Sequence, residues 1–298
     1  MTENKVFFIV NKYSGTGFQS KIEGRIIDAC ARLKLEGIIE YTQRKGHATE
    51  LARQAVSAGI PRIFAMGGDG TVNEVAQGIV GTSSAMGILP KGSGNGLARH
   101  LKIPLRLPYA LKLLDQYQVI DMDVLKVNGK ISVNVSGIGF DAHVAGKFGK
   151  NGKRGLIGYT KLAIKEFRRY KEFDTQALLD GQPVSNKSFI IALANSSQFG
   201  NNALVAPSAS VCDGVMEVCF IKKVPLSQML GFTTKMFMGK IERSSFVNIM
   251  KATQFKAEFS RPLRYHIDGE AYPAENKFVV EIQPSALKVI VPLNPGKI

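Results

Sequence analysis

Gly67-Gly68-Asp69-Gly70-Thr71 is the stretch of sequence that indicates the fold of this chain most directly. An apolar run typical of a strand, residues 60–66, precedes it, and a run with helical spacing, residues 72–80, follows it. Its glycines permit positive φ and let a ligand approach the backbone, and the first N–H groups of the following helix favour an anion. A carboxylate such as Asp69 fits beside a bound anion when a cation lies next to it. The stretch therefore predicts a nucleotide phosphate site with a divalent metal nearby.

Strand-like and helix-like runs alternate on both sides of this stretch, within residues 1–125. The strand-like runs are residues 6–10, 37–41, 63–66 and 85–89, and the helix-like runs are residues 18–35, 47–57, 72–80 and 96–101. Such alternation predicts an α/β domain with a mostly parallel sheet and helices on its faces. Ligands of such sheets bind at the carboxyl ends of the strands. Residues 11–15, Thr42, the glycine stretch and residues 90–95 all follow strand-like runs, so we expect them at that edge.

The remaining residues, 126–298, have a different pattern, in which β-rich runs are separated by turn dipeptides. The β-rich runs are residues 131–136, 188–194, 215–220, 255–259, 277–282 and 287–291, and the dipeptides are Asn128-Gly129, Asp180-Gly181, Asp213-Gly214 and Asp268-Gly269. Two helix-like runs, residues 156–170 and 226–238, interrupt them. This pattern predicts a mainly antiparallel, β-sandwich-like second domain. The predicted domains are therefore residues 1–125 and 126–298.

Three motifs admit a purely structural interpretation. Thr71 and Glu74 have the spacing of a helix capping box, although that does not explain Gly67, Gly68 and Asp69. The second glycine cluster, residues 90–96, is neither a Walker sequence nor a dinucleotide fingerprint, and Asn95 could simply cap the next helix. Asp268-Gly269-Glu270 is either a plain hairpin turn or a pair of carboxylates that brackets a substrate hydroxyl, one accepting its proton.

Composition restricts the partners. The 298 residues contain 39 Lys and Arg against 24 Asp and Glu, a net charge of +15, which implies nucleic acid, an anionic membrane or phosphorylated substrates. Nine of these cations lie in residues 147–171, which we interpret either as a solvated helix with a basic loop or as a surface for anionic lipid headgroups. No basic–aromatic interleaving supports nucleic acid.

Three cysteines without metal-type spacing fit a reduced, cytoplasmic setting, and the N-terminus reads as a buried strand rather than a signal peptide.

A series of short blocks in a fixed order resembles the diacylglycerol kinase catalytic family, which includes bacterial lipid kinases and sphingoid-base kinases. The blocks are Val10-Asn11-Lys12-Tyr13-Ser14-Gly15, Thr42 with Gly46-His47-Ala48, residues 67–74, residues 87–99, Asp121-Met122-Asp123, residues 134–141, Ala206-Pro207, Asp213-Gly214 and Asp268-Gly269-Glu270. They extend over nearly the whole chain, and many blocks in order are far more specific than any one of them.

The resemblance implies a two-domain kinase with the NAD kinase/diacylglycerol kinase-like fold and an active site in the cleft. ATP, the phosphoryl donor, is expected to contact Asn11, Lys12, Tyr13, Ser14, Gly15, Thr42, Gly67, Gly68, Asp69, Gly70, Thr71, Val72, Asn73, Glu74 and Ser93. Mg²⁺ is expected near Asp69 and Asp123, and a second, structural Mg²⁺ at Asp213 with main-chain oxygens of Ser210 and Val215. Glu270 is the preferred proton acceptor, and Asp268 is the second choice.

The acceptor is less well specified than the donor. Gly96 stands where many bacterial members have Asp, and Ser93 stands where Thr is frequent, so the lipid alcohol could be diacylglycerol, a sphingoid base or another lipid. The Gly-Gly-Asp-Gly core also occurs in NAD kinases and phosphofructokinases, which keeps a soluble acceptor open, and a membrane- or nucleotide-binding sensor without turnover is the non-enzyme alternative. The resemblance further implies phospholipid biosynthesis in the cytoplasm, at the inner face of an anionic membrane, and allows a homodimer.

Overall fold

The computed structural model describes residues 3–15, 21–147, 162–163, 165–296 and 298. They form two compact units, Met1–Asp123 with Pro284–Ile298 (unit 1) and Val124–Gln283 (unit 2). The division predicted from sequence, 1–125 and 126–298, differs from these units because the last residues, 284–298, belong to unit 1. Among the described residues, no helix is both long enough and apolar enough to cross a bilayer.

Unit 1 is a parallel sheet with helices, as the alternation predicts. Its strands are β1 (Lys5–Val10), β2 (Glu36–Tyr41), β3 (Arg62–Gly67) and β4 (Ala85–Pro90), and its helices are α1 (Lys21–Arg32), α2 (His47–Ser57), α3 (Asp69–Ile79), α4 (Gly96–His100) and α5 (Leu107–Ala110). The strand order is β4-β3-β1-β2, and every neighbouring pair is parallel. The end of a long later strand, β14 (Glu270–Pro292), runs parallel to β4 through Val289 and Met86.

The core of unit 1 explains why its strands have apolar runs instead of alternating patterns. Residues 6–10 of β1 and 63–67 of β3 are buried throughout, as expected for a parallel sheet covered on both faces. Helix α2 buries Ala48, Leu51, Ala52 and Ala55, which lie on one helical face. Gly78 of α3 lies against α2, since a Cβ at that position would lie 2.5 Å from the Cβ of Ala52.

Unit 2 is built mainly from antiparallel strands. These are β6 (Lys130–Ser132), β7 (Val135–Gly139), β8 (Phe173–Leu179), β9 (Gln182–Ser188), β10 (Ile190–Ala194), β11 (Met216–Ile221), β12 (Val247–Ala252), β13 (Gln254–Ile267) and most of β14, together with the end of β5 (Tyr117–Val127). The order is β12-β11-β10-β7-β13-β14, and β8 pairs with β13 and β9. Two helices, α6 (Phe140–Lys147) and α7 (Met229–Phe237), are the α-helices described within unit 2 in full.

Three of the four predicted turn dipeptides join paired strands. Asn128-Gly129, Asp180-Gly181 and Asp268-Gly269 each have positive φ at both positions, which is the conformation of a type I′ hairpin turn. Asp213-Gly214 instead ends a loop before β11, and only its glycine has positive φ. Glycine and short polar side chains tolerate this conformation, which is why the hairpins were predictable.

Several element bounds differ from the sequence prediction. Helix α3 begins at Asp69 rather than at residue 72, so the glycine stretch lies partly in its first turn. The run 131–136 is divided between β6 and β7, and the runs 277–282 and 287–291 belong to one strand. The helix-like run 226–238 is a 3-10 turn, Leu226–Gln228, followed by α7.

The basic segment, residues 147–171, falls largely on residues 148–161 and 164, which lie outside the described residues. Of its described cations, Lys147 donates to the Glu166 carboxylate at 2.6 Å, while Lys165, Arg168, Arg169 and Lys171 are exposed. The predicted helix is confirmed only at residues 162–163 and 165–167.

Candidate active site

The first glycine loop, residues 67–71, joins β3 to α3. Gly68 is the N-cap of α3 in an extended conformation, and its carbonyl accepts the N–H groups of Thr71 and Val72 at 3.0 and 3.1 Å. A Cβ on Gly67 would lie 2.3 Å from Thr71 Oγ1, so only glycine fits there. The capping-box interpretation is therefore wrong, because Thr71 lies inside the helix and does not precede it.

Glu74, the other half of that predicted box, caps a different helix. Its Oε2 accepts the N–H of Ala48 at 3.2 Å, and its carbonyl accepts the Thr49 hydroxyl at 2.7 Å. Because Ala48 and Thr49 belong to the first turn of α2, the carboxylate lies at the positive end of that helix. Glu74 thus joins α2 to α3.

The second glycine loop, residues 90–96, touches the first one through backbone atoms. A Cβ on Gly92 would lie 2.5 Å from the Cα of Gly68. Asn95 has φ 50° and occupies the N-cap position of α4, but its side chain does not cap that helix. It accepts from Gly92 N–H at 2.9 Å and donates to Gly92 C=O at 2.8 Å. The side chain that caps α4 is Asp69, whose Oδ1 accepts the N–H of Gly96 at 2.7 Å.

The third loop, residues 11–15, is attached to both others. Asn11 donates from Nδ2 to Thr71 Oγ1 at 3.1 Å, and its main-chain N–H donates to Met66 C=O at 2.9 Å. A Cβ on Gly15 would lie 2.0 Å from the carbonyl oxygen of Lys91. We call residues 11–15, 67–71 and 90–96 the glycine loops. They lie at the carboxyl ends of β1, β3 and β4, where the sequence places them.

Lys91 holds these loops together, a role that the sequence does not indicate. Its ammonium group donates to the carbonyl of Ser14 at 2.6 Å and lies 3.4–3.5 Å from those of Lys12 and Asn11. Burial lowers its pKa. A lysine in a glycine-rich loop is ordinarily expected to bind phosphate directly, whereas here main-chain oxygens take its donors.

The other residues predicted to contact ATP differ in accessibility. Thr42 is buried, and its N–H donates to Val10 C=O at 3.0 Å. Val72 and Asn73 are buried in α3, where Asn73 Oδ1 accepts from Gln77 at 2.6 Å. Tyr13 is exposed, and the Lys12 ammonium lies 3.7 Å from the centroid of the Tyr41 ring. Their contacts with a nucleotide stay predictions.

The two candidate proton acceptors of unit 2 have opposite surroundings. Asp268 is 6% exposed, and its carboxylate accepts from the Ser132 hydroxyl at 2.6 Å and from the N–H groups of Val133 and Asn134 at 2.9 and 3.0 Å. These bonds hold the bend that divides β6 from β7. Glu270, at the start of β14, is exposed. Asp268 is thus held by three hydrogen bonds, whereas Glu270 is exposed to solvent, and their roles as proton acceptors stay predictions.

A buried His–Asp pair supports the same turn. His266 Nε2 lies 3.0 Å from Asp141 Oδ2, and Gly269 N–H donates to His266 Nδ1 at 3.2 Å. Since Nδ1 accepts, the neutral ring carries its proton on Nε2 and donates it to Asp141. A Cβ on Gly137 would lie 1.9 Å from Asp141 Oδ2 and 2.6 Å from His266 Nε2. Gly137 leaves room for the pair, and the pair orients the turn that carries Glu270.

The predicted structural magnesium site contains oxygen donors of the kind that Mg²⁺ prefers. Asp213 Oδ2 lies 3.0 Å from the ammonium of Lys251. Glu217 is buried close enough for Asp213 to repel it, and desolvation, the larger effect, raises the pKa of Glu217. Its Oε2 has no hydrogen-bond partner among the described residues. A cation bound beside Asp213 would compensate the negative charge of the Glu217 carboxylate, so these oxygen donors fit Mg²⁺. The Lys251 ammonium is the competing cation at Asp213.

The predicted catalytic magnesium site contains two carboxylates that are held by main-chain groups. Asp69 accepts from Gly96 N–H, and Asp123, which is 2% exposed, accepts from Ser285 N–H at 2.8 Å. Both side chains are therefore fixed in direction. Among the described residues, no group of three His, Cys, Asp or Glu side chains is arranged to hold a metal. Two protein carboxylates completed by substrate phosphates are nevertheless a common arrangement for Mg²⁺.

Comparison with protein families matches both parts of the chain. The diacylglycerol kinase catalytic domain matches residues 5–127, and the YegS C-terminal NAD kinase beta sandwich-like domain matches residues 134–291. The match confirms the predicted fold, an α/β part followed by a β-rich part.

Relatives and solved structures agree with this assignment. A probable lipid kinase YegS-like protein of Pseudomonas aeruginosa is 30% identical over 259 residues, which cover 85% of this chain and 84% of that one. One of Chromohalobacter salexigens is 29% identical over 262 residues, covering 85% and 83%. The crystal structure of a putative diacylglycerol kinase from Bacillus anthracis has a TM-score of 0.82 at 24% identity and covers 98% of both chains, which shows the shared fold. The chain belongs to the diacylglycerol kinase catalytic family, whose relatives here are named lipid kinases, and it is a phosphotransferase.

Proposed function

We propose that this chain transfers the γ-phosphoryl group of ATP to the hydroxyl of a membrane lipid alcohol, with diacylglycerol as the first candidate. The observation that carries the proposal is the fastening of the three glycine loops by Asn11, Asp69 and Lys91 at the carboxyl ends of parallel strands. Such an edge, with the positive end of the 11-residue helix α3, is suited to a polyphosphate.

Unit 1 supplies the donor side of the reaction. The glycine loops bring backbone close to the phosphates, and their mutual contacts keep them from reorganising during transfer. Phosphoryl transfer requires little covalent chemistry from the protein, so positioning and charge neutralisation provide most of the catalysis. Bound Mg²⁺ supplies positive charge to the phosphates, and Asp69 and Asp123 are the residues that would hold it.

Unit 2 supplies the acceptor side. Glu270, which is exposed, accepts the proton of the lipid hydroxyl as the new P–O bond forms and the bond from the γ-phosphorus to the leaving ADP breaks. Asp268 is the weaker candidate because its oxygens already accept three hydrogen bonds from residues 132–134. We propose that Asp268 positions the turn and that Glu270 is the base.

A lipid-acceptor screen with labelled ATP tests this function. Purified protein is incubated with Mg²⁺ and mixed micelles of diacylglycerol, a sphingoid base or a monoacylglycerol, or with NAD in buffer, and the products are separated into organic and aqueous phases. We expect labelled phospholipid in the organic phase, with diacylglycerol the most rapidly phosphorylated, and a rate about 10³-fold lower with Glu270→Gln. Label transferred only to NAD or another water-soluble acceptor would contradict the lipid assignment.

The sphingoid base is included in the screen for a specific reason. Gly96 has no side chain where many relatives have a carboxylate, and its N–H is bonded to Asp69. The family resemblance leaves the acceptor open at this position, so the screen compares a neutral lipid alcohol with a sphingoid base directly. Preferential phosphorylation of the base over diacylglycerol would change the acceptor and leave the donor chemistry in place.

The location proposed for the protein follows from its substrate. A lipid alcohol is available at a membrane surface, and the net charge of +15 favours an anionic one. We therefore propose a peripheral enzyme of phospholipid biosynthesis at the inner face of the membrane. A homodimer stays a prediction from the family resemblance.

A further inference from the structure

Unit 2 exposes apolar side chains along one short helical segment. Leu226, Leu230, Phe237 and Met238 are 60%, 79%, 53% and 59% exposed. No other stretch of this length in the described part of the chain exposes as many large apolar side chains. We call these four residues the α7 face. An exposed apolar cluster of this kind marks an interaction surface.

Helix α7 turns apolar side chains outward, which is the reverse of an ordinary surface helix. Phe232, on its inner side, packs against the cluster that contains Val205 and Ala206. Leu230 and Phe237 are separated by two helical turns and lie on the outer side. A surface helix of a soluble protein normally turns its polar side outward, whereas α7 is apolar on its outer side and none of its residues is fully buried.

The two threonine hydroxyls of α7 are already hydrogen-bonded within the helix. Thr234, which is exposed between Leu230 and Phe237, donates its hydroxyl to Leu230 C=O at 2.9 Å, and Thr233 donates to Met229 C=O at 2.9 Å. Transfer to an apolar medium costs less free energy for a hydroxyl that is hydrogen-bonded to its own helix than for one that gives up a hydrogen bond to water. The outer side of α7 can thus leave water without stranding these donors.

The charged residues near α7 indicate which apolar medium its outer side would enter. Residues 222–241 contain Lys222, Lys223, Lys235 and Lys240 and no Asp or Glu. Lys222, Lys235 and Lys240 are exposed, so cations flank the apolar stripe on both sides. This is the pattern of a helix that lies in the interface of an anionic bilayer, with apolar side chains among the acyl chains and lysines at the headgroups.

A second copy of the chain fits this face less well. The nine-residue helix is about 14 Å long, while a stable protein interface buries about 800 Å² on each partner. Two such faces, each flanked by lysines, would also bring like charges together.

We infer that the α7 face docks the protein on an anionic lipid bilayer, with Leu230 and Phe237 entering the interface. The inference deepens the proposed lipid kinase function, because a docked enzyme can take its acceptor from the same bilayer. None of the four residues of the α7 face belongs to the basic segment 147–171.

The chain contains no tryptophan, so a single introduced tryptophan reports on one position. Leu230→Trp is mixed with vesicles of phosphatidylcholine alone or with one-third phosphatidylglycerol, and Leu293→Trp, at a position that is 58% exposed in unit 1, is the matched control. We expect a blue shift for Leu230→Trp with the anionic vesicles, with quenching by brominated acyl chains, and no shift for the control. Equal shifts in both variants, or none in either, would overturn the inference.

Vesicle co-sedimentation of variants tests the energetic contribution of the face. Leu230→Ser with Phe237→Ser should weaken binding to anionic vesicles at least about tenfold, since both apolar side chains that would be buried in the bilayer are lost. Lys235→Glu with Lys240→Glu should weaken it too, and only on anionic vesicles, while Leu293→Ser should not. Unchanged binding by the double serine variant would refute the inference. So would a parent dimer that becomes monomeric in that variant while vesicle binding persists.

These readouts do not depend on turnover, so they separate this inference from the proposed function. Vesicle binding through α7 with no lipid product would support the proposed docking surface and contradict the proposed lipid acceptor. A lipid product formed with equal rates on vesicles by the parent and by the double serine variant, together with unchanged binding, would remove the docking surface alone.

Discussion

The glycine loops of unit 1 touch one another through backbone atoms, whereas the Asp268 turn of unit 2 is held by side chains. Gly68 and Gly92 lie so close that a Cβ on either would crowd the other's Cα. In unit 2 the same task is performed by a carboxylate that binds three groups and by a His–Asp pair. We infer that the glycine loops tolerate no added side-chain atom at Gly68 or Gly92, whereas the Asp268 turn depends on which polar atoms its side chains carry.

Asp69 and Lys91 are charged side chains of unit 1 that also hold these loops, and Asp69 adds the negative charge of the candidate magnesium site. Asp69→Asn keeps an oxygen that can accept the Gly96 N–H but removes the negative charge. We expect turnover to fall by about 10³-fold or more while the melting temperature changes little. Steady-state kinetics and thermal unfolding on the same preparations measure both. Near-normal turnover would show that the negative charge of Asp69 is not needed to hold Mg²⁺ at the phosphates.

The two carboxylates of the unit 2 turn should separate into a catalytic and a positioning group. Glu270→Gln should lower kcat by about 10³-fold with unchanged stability, since a general base contributes about 10²- to 10⁴-fold. Asp268→Asn should also lower kcat, and in addition should destabilise the fold by about 1–3 kcal/mol, because its NH₂ group would face buried N–H donors. Urea unfolding distinguishes the two, with the exposed Glu258→Gln as control. Loss of stability in Glu270→Gln alone would reverse the assignment.

An added methyl group tests the backbone contact directly. In Gly92→Ala the Cβ would lie 2.5 Å from Gly68 Cα and 2.9 Å from Asn95 Oδ1, so the two loops must separate. We expect kcat/KM for ATP to fall by about 10²-fold. Gly24→Ala, in α1 with no atom within 4 Å of its Cβ position, should be neutral or slightly stabilising. Equal kinetics for the two variants would show that the loop contact is dispensable.

Removing the imidazole should have a smaller effect. His266→Leu removes the acceptor of the Gly269 N–H and should lower kcat by about tenfold, with KM for ATP unchanged, because it acts only through the position of Glu270. His266→Asn, whose carbonyl oxygen can replace Nδ1, should recover part of the rate. If both variants equal the parent in kcat and in its pH profile, the pair has no positioning role.

The sequence specified the location of the glycine loops better than their contacts. Alternating runs and Asp-Gly dipeptides are local patterns, so the parallel strands, the hairpins and the strand ends were predictable from them. The partners of Asp69, Glu74 and Asp268 lie 27, 26 and up to 136 residues away. Nothing in a local pattern encodes such pairings, which is why Thr71 and Glu74 resembled a capping box and why nothing in the sequence indicated the role of Lys91.

The last prediction uses His100, in α4 immediately after the second glycine loop. Burial, with the nearby charge of Lys102 as a smaller cause, lowers the pKa of His100 from 6.5 to about 4. Between these values the unfolded chain binds a proton that the folded chain does not, so stability falls as the pH decreases from 6.5 towards 4. The loss should be about 1 kcal/mol by pH 5.5. Urea unfolding of the parent and of His100→Gln at pH 7.5 and pH 5.5 measures it, and the variant should lose less stability over this interval because glutamine does not titrate. The same loss in both proteins would mean that other groups carry the acid sensitivity, and that α4 does not hold its histidine in the neutral form.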